Sequence, residues 1–137
     1  MHDYLAAEPL IVARLKEWIA EAMIHSTWGM PKLQETPDLP PSVLVSLEED
    51  RPGQIADNGI TQKVEQVWLC LVVVSEPANE AGPLIAQVIK AMAGWQPDDP
   101  AFSPFRRVKS HFTPDYSANG IYYFPLAFMT SFVFDVA

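Results

Sequence analysis

Residues 67–74 read VWLCLVVV, eight consecutive apolar side chains in a chain of 137 residues with formal net charge −8. No polar residue interrupts the run, so a strand built from it is apolar on both faces and differs from the half-wetted strand of an open antiparallel sheet. A second stretch, IYYFPLAFMTSFVF from Ile121 to Phe134, adds to the demand for cover. Strand alternation puts Tyr122, Phe124, Leu126, Phe128, Thr130, Phe132 and Phe134 on one face. Ile121, Tyr123, Pro125, Ala127, Met129, Ser131 and Val133 fall on the other. The aromatic face is the expected core, under two helices. The opposite face is smaller in side chain but still mostly apolar, and extended apolar surface of that kind marks interfaces. A neighbouring copy is its expected cover; the alternative is that the chain's own helices lie on both faces of the sheet.

The rest of the chain reads as one domain, 1–137. Pro9 to Ile24 carries apolar residues at helical spacing, with Pro9 at the first helical position, where no amide donor is needed. A proline-rich connector follows over 29–41. Ser42 to Glu49 reads as a strand, and a long strand begins at Gln62. Between them Pro52-Gly53 and Asn58-Gly59 are turn dipeptides, so Arg51 to Ile60 forms a long polar hairpin tip. Leu84, Ile85, Val88, Ile89 and Met92 mark a second helix that ends at Gly94, with Pro83 in its first turn and residues 78–82 either leading into it or forming a separate turn before it. A second proline-rich loop spans 95–104. The last third is a hairpin, with FRRVKSHFTPDYS turning through Ala118-Asn119-Gly120 into the final strand. The expectation is an α+β fold in the order α-β-β-α-β-β, an antiparallel-rich four-stranded sheet packed with two main helices.

Chemistry-bearing patterns are sparse. Cys70 is the single cysteine and sits inside the apolar run, which suits a buried inert thiol and excludes an internal disulfide. His2, His25 and His111 show no metal-ligand spacing. Asp98-Asp99 and Glu48-Glu49-Asp50 are flanked by turn or proline-rich sequence, where solvated carboxylates are ordinary. No phosphate loop or nucleophile motif occurs, so no catalysis and no cofactor is expected. Trp95, just past the second helix, reads as a lid on the end of the core. An acidic balance of 17 Asp and Glu against 9 Lys and Arg argues against a protein that wraps nucleic acid. The one basic cluster, Arg106, Arg107 and Lys109, reads as a solvated strand face or a contact to acidic groups. Neither apolar run has the about 20 residues that span a bilayer, and Met1 to Leu10 does not read as a signal segment. A soluble intracellular product without a membrane role is expected.

The EPLIVARLKEWI helix, the VLVSLEED and VEQVWLCLVVV strand pair, the LIAQVIKAMAGWQP helix and exit, and the closing YYFPLAFMTSFVF strand together resemble the tail terminator, or tail completion, proteins of tailed bacteriophages. That resemblance covers most of the chain. It implies a small α+β virion protein that assembles with itself, commonly as a hexameric ring, on the head-proximal end of the tail tube. Such a ring stops tube polymerisation and presents a surface to head-completion or connector proteins, with DNA passing through it without specific binding. The candidate interface residues are Ala127, Met129 and Ser131 on the second face of the last strand, with Arg106, Arg107 and Lys109. The rival reading is a small homo-oligomeric ligand-binding protein or enzyme with a pocket around His111, Arg106 and Tyr116. A third is an adaptor or immunity protein with one exposed apolar patch.

Overall fold

The computed structural model describes residues 3–26, 41–75, 77–118 and 120–136. The described chain runs α1 (Ala7–Trp18), β1 (Met23–Ser26), β2 (Ser42–Ile55), β3 (Thr61–Val74), α2 (Pro77–Met92), β4 (Arg106–Val108), β5 (Asp115–Tyr116) and β6 (Tyr122–Asp135). The fold is α+β, with two helices and one six-stranded sheet of order β1-β2-β3-β6-β4, β5 also pairing with β6. Only β1–β2 is parallel; the other pairs are antiparallel. The two apolar runs lie side by side, in unbroken register from Thr61↔Asp135 to Val74↔Tyr122.

The expected order α-β-β-α-β-β and its four strands are therefore corrected to α-β-β-β-α-β-β-β and six. The first helix stops at Trp18 and not at Ile24. Ile19 still donates its amide to the Leu15 carbonyl at 2.8 Å, but its own backbone is extended (φ −125°, ψ 104°). Ile24 is then buried from strand β1; five residues past Ile19, it lies off the stripe that a continued helix would bury. Pro9 becomes the third helical residue, still within the turn whose amides lack intrahelical partners. The second helix begins at Pro77, so Pro83 lies inside it.

The first strand of the expected final hairpin, FRRVKSHFTPDYS over Phe105 to Ser117, is split into β4 and β5. Ser131 turns both its amide and its carbonyl outward, to Ser103. Backbone direction alternates along a strand, so Pro125, six residues back, faces the same edge without a hydrogen to donate. Pairing lapses there: Val108 is opposite Ala127 and Asp115 opposite Tyr123, with nothing between them. The proline-rich segment 29–41 lies, except for Pro41, outside the described residues. So does Asn119 of the final turn, whose Gly120 has φ 80°.

Both helices pack on one face. Ile11 and Leu15 of α1 and Leu84, Val88, Ala91 and Met92 of α2 share a core with Val43, Val45, Trp68, Cys70, Val72, Leu126, Phe128 and Phe132. The aromatic face of β6 is the core face, as alternation requires. Arg14 joins the helices by donating from Nε to the Ala91 carbonyl at 2.9 Å, filling an acceptor that the end of α2 leaves open. Trp95 stacks on Phe105 at 5.2 Å and 10°, closing that end of the core. Burial pushes the Cys70 thiol up to about 12, consistent with an inert core side chain.

Candidate functional site

Among the described residues no helix lies on the second face of the sheet. Its cover comes from the edge. Val108 on β4 stands opposite Ala127 and packs with Val67, Ala127 and Met129. From Val108 the chain leaves β6 at the stretch made unpairable by Pro125 and crosses the face as a strap, residues 109–114, towards β2.

The strap is tied down at a bulge. The β2–β3 register slips between Leu47 and Glu49, so Glu48 and Glu49 both reach the same loop, where a regular strand would turn neighbours to opposite faces. Ser110 Oγ donates to Glu48 Oε1, and the His111 amide donates to Glu48 Oε2 at 3.3 Å. His111 Nε2 sits 2.9 Å from Glu49 Oε2, and Arg51 Nε 2.8 Å from Glu49 Oε1. The hydrogen bond from Arg51, followed by that from His111, holds the Glu49 carboxyl down at about 2. Arg51 also points Nη1 at Met129 Sδ, 3.7 Å away. The result is a closed flap over a small apolar cluster, fastened by surface charge.

This arrangement separates the six residues singled out from the sequence. Ala127 is 1% and Met129 4% exposed, already covered within the subunit by Val108 and its surroundings. Ser131 is half-buried and bonded to Ser103 through its amide (2.9 Å) and hydroxyl (3.1 Å). Arg106, Arg107 and Lys109 are exposed and make no ion pair among the described residues. By alternation Arg106 shares this face with Met129 while Arg107, opposite Phe128, lies on the other, so any neighbour here meets Arg106, the strap and Val133 before it meets Met129.

A second surface lies where β2, β3 and β6 run past the helices. Ile55, Ile60, Val133 and Val136 are 54%, 49%, 53% and 39% exposed there. The turn beyond is built by Asn58, whose Oδ1 accepts from the amides of Ile60 (2.9 Å) and Thr61 (3.1 Å), with Gly59 at φ 72°. Pro52-Gly53, expected as a turn, lies inside β2. Gly53 sits at a second register slip, where a Cβ would come 2.7 Å from the Lys63 carbonyl oxygen. At the base of this ribbon Gln66 is fully buried and saturated: its amide nitrogen donates to the Tyr4 carbonyl at 3.1 Å, and its oxygen accepts from Trp68 Nε1 at 3.3 Å. Asp50 accepts from the Tyr4 hydroxyl at 2.9 Å; burial first, and then this carboxylate, raise the phenol to about 12.

The acidic clusters are thus structural: Glu48 and Glu49 anchor the strap, Asp50 holds Tyr4, and Asp99 accepts from the Ala101 amide at 2.9 Å. Among the described residues no group of three or more His, Cys, Asp or Glu is placed to hold a metal, and no helix is long and apolar enough to cross a membrane. A hollow of about 250 Å³ between strap and β6 is bounded by Arg107, Lys109, Phe112 and Pro125. His111, Arg106 and Tyr116 are not among the residues that bound this hollow. The strap and its anchors were not visible in the sequence, because a bulge has no signature in the apolar pattern.

A family model described as phage tail terminator protein matches residues 1–136. No curated protein matches the chain.

Proposed function

The chain belongs to the phage tail terminator protein family, and we propose that it works by closing into a ring, of six copies as the family resemblance implies, on the head-proximal end of the tail tube. Its role is that of a structural component of the phage tail. The ring ends tube polymerisation by covering the last tube subunits, and its outer end receives the head-completion or connector protein. DNA passes through without specific binding, which suits a subunit of net charge −8.

The observation that carries this reading is the ribbon end. Four aliphatic side chains, Ile55, Ile60, Val133 and Val136, stand 39–54% exposed at the tips of three paired strands, beyond the reach of the helices. Apolar residues gathered on a projecting, otherwise polar element favour a partner over solvent. The ribbon is assigned to the axial contact, with tube or connector. The cations Arg106, Arg107 and Lys109, with Ser131 over the supporting Ala127 and Met129, are assigned to the contact between copies.

Replacing Ile55 and Ile60 together by Asp tests this. Both are exposed, so the circular dichroism and melting of the subunit should stay as in the parent chain. Phage carrying the variant should make overlong or unjoined tails; normal tail length and normal joining would remove the ribbon from the axial contact.

A further inference from the structure

We propose that copies of this chain join edge to edge, the cationic β4 edge of one (Arg106, Arg107, Lys109) docking on the acidic β2 edge of the next (Glu48, Glu49, Asp50). This rests on the ring reading above and names the surfaces that would close it.

Both edges are open among the described residues. On β2, pairing with β1 ends at Val45, and no described strand lies against the outer side of Ser46 to Ile55. On the opposite side of the sheet β4 is terminal. Phe105 spends both backbone groups outward, its amide on the Trp95 carbonyl and its carbonyl on the Gly94 amide, each at 2.8 Å. By alternation Arg107, two residues on, turns its amide and carbonyl outward as well. Among the described residues, then, β4 turns outward the amide and carbonyl of Arg107, and β2 those of its alternate residues beyond Val45, groups that a further strand can pair.

Charge selects the occupant. Arg106, Arg107 and Lys109 give +3 over four residues, whereas Glu48, Glu49 and Asp50 against Arg51 leave −2 on the facing edge. Copies that each carry −8 repel unless a cationic surface of one meets an acidic surface of another, and among the described residues this cluster has no counter-ion. The two surfaces are different patches of the subunit, one on β4 and one on β2 beyond the end of β1, so the contact is heterologous, the kind that generates rings when the rotation closes. DNA, the other polyanion at hand, would have to approach past the chain's acidic balance. A second copy supplies three carboxylates in a row along a strand, held in place by Ser110, His111, Arg51 and Tyr4 and still net acidic.

The test uses the unaltered chain, unlabelled and nitrogen-isotope-labelled copies mixed before assembly, treated with a carbodiimide that joins an amine to a carboxylate in contact. The expected product is a mixed-isotope link from Lys109 to the Glu48–Asp50 segment; isotope mixing separates it from any link within one subunit. Assembled rings whose mixed links all lie elsewhere would overturn the edge contact and leave the ring standing. Absence of any assembled form, in solution and in purified tails, would overturn both. In parallel, Arg106→Glu with Arg107→Glu should weaken self-association by roughly tenfold or more with the circular dichroism unchanged, whereas Lys90→Glu, exposed on α2, should leave it unaltered. Equal loss in both variants would assign the effect to net charge and reject the edge, as would DNA binding that only the double variant loses while association persists.

Discussion

Truncating Met129 to Ala separates cover by the chain itself from cover by a neighbour. The side chain is 4% exposed and packs with Val67, Ala127 and Val108. Removing a buried methionine costs about 2–5 kcal/mol. Here the covering layer is one short strand and a strap, which settle into a vacated space more readily than a packed helix, so the low end, about 2 kcal/mol, is expected. For a domain of this length that lowers Tm by roughly 6–10 °C. Phe128→Ala, its neighbour on the helix-covered face, should cost about 3–5 kcal/mol. Val133→Asp, on Met129's face but half exposed, should leave Tm within a degree or two, since surface changes fall within about 0.5 kcal/mol. Thermal unfolding followed by circular dichroism, at a concentration where sedimentation shows single subunits, makes the comparison. If Met129→Ala melts like the parent chain yet fails to associate, the side chain is covered by a neighbour and the strap does not seal this face.

Three further outcomes follow from particular contacts. Glu49 has a folded-state pKa of about 2 against a usual 4.5, so its contribution to stability is whole above about 4.5 and is lost as pH falls towards 2; the stability gap between the parent chain and Glu49→Gln should close across that window, and a gap independent of pH would show that the Arg51 and His111 contacts are not what holds the strap. Gly53→Ala sets a Cβ 2.7 Å from the Lys63 backbone oxygen, an overpacking that costs about 1–3 kcal/mol, and hydrogen exchange should quicken in the ribbon before it does in the core; unchanged exchange would mean that the slip at Pro52 to Ile55 relaxes freely. Cys70, fully buried with its thiol pushed up to about 12, should resist a thiol reagent at neutral pH until the chain unfolds, and prompt labelling of the folded chain would contradict its place in the core.

What the sequence made legible was whatever repeats over enough residues. The face split of β6 was readable because fourteen residues alternate, and the second helix because Leu84, Val88 and Met92 recur at helical spacing. β1 was not readable because four residues carry too little period, although Ile24, five residues past Ile19, already falls off the helical stripe of Leu15 and Ile19. Pro52-Gly53 has turn chemistry, but the glycine is there for the close approach of Lys63. The need to cover a second apolar face was legible in VWLCLVVV and the final strand. How part of it is met was not, because the strap depends on a missing amide at Pro125 and a bulge at Glu48, each a single-residue event whose consequence appears only when the strands are paired. Arg106, Arg107 and Lys109 stood out by type alone, and their position on a terminal strand opposite an acidic edge required the topology.

Imaging purified virions with the chain tagged at its C-terminus tests the central claim most directly. The account predicts one ring of this protein at the head-proximal end of each tail, between tube and connector, and none along the tube. Copies spread along the tube wall, or confined to the distal tip, would contradict it.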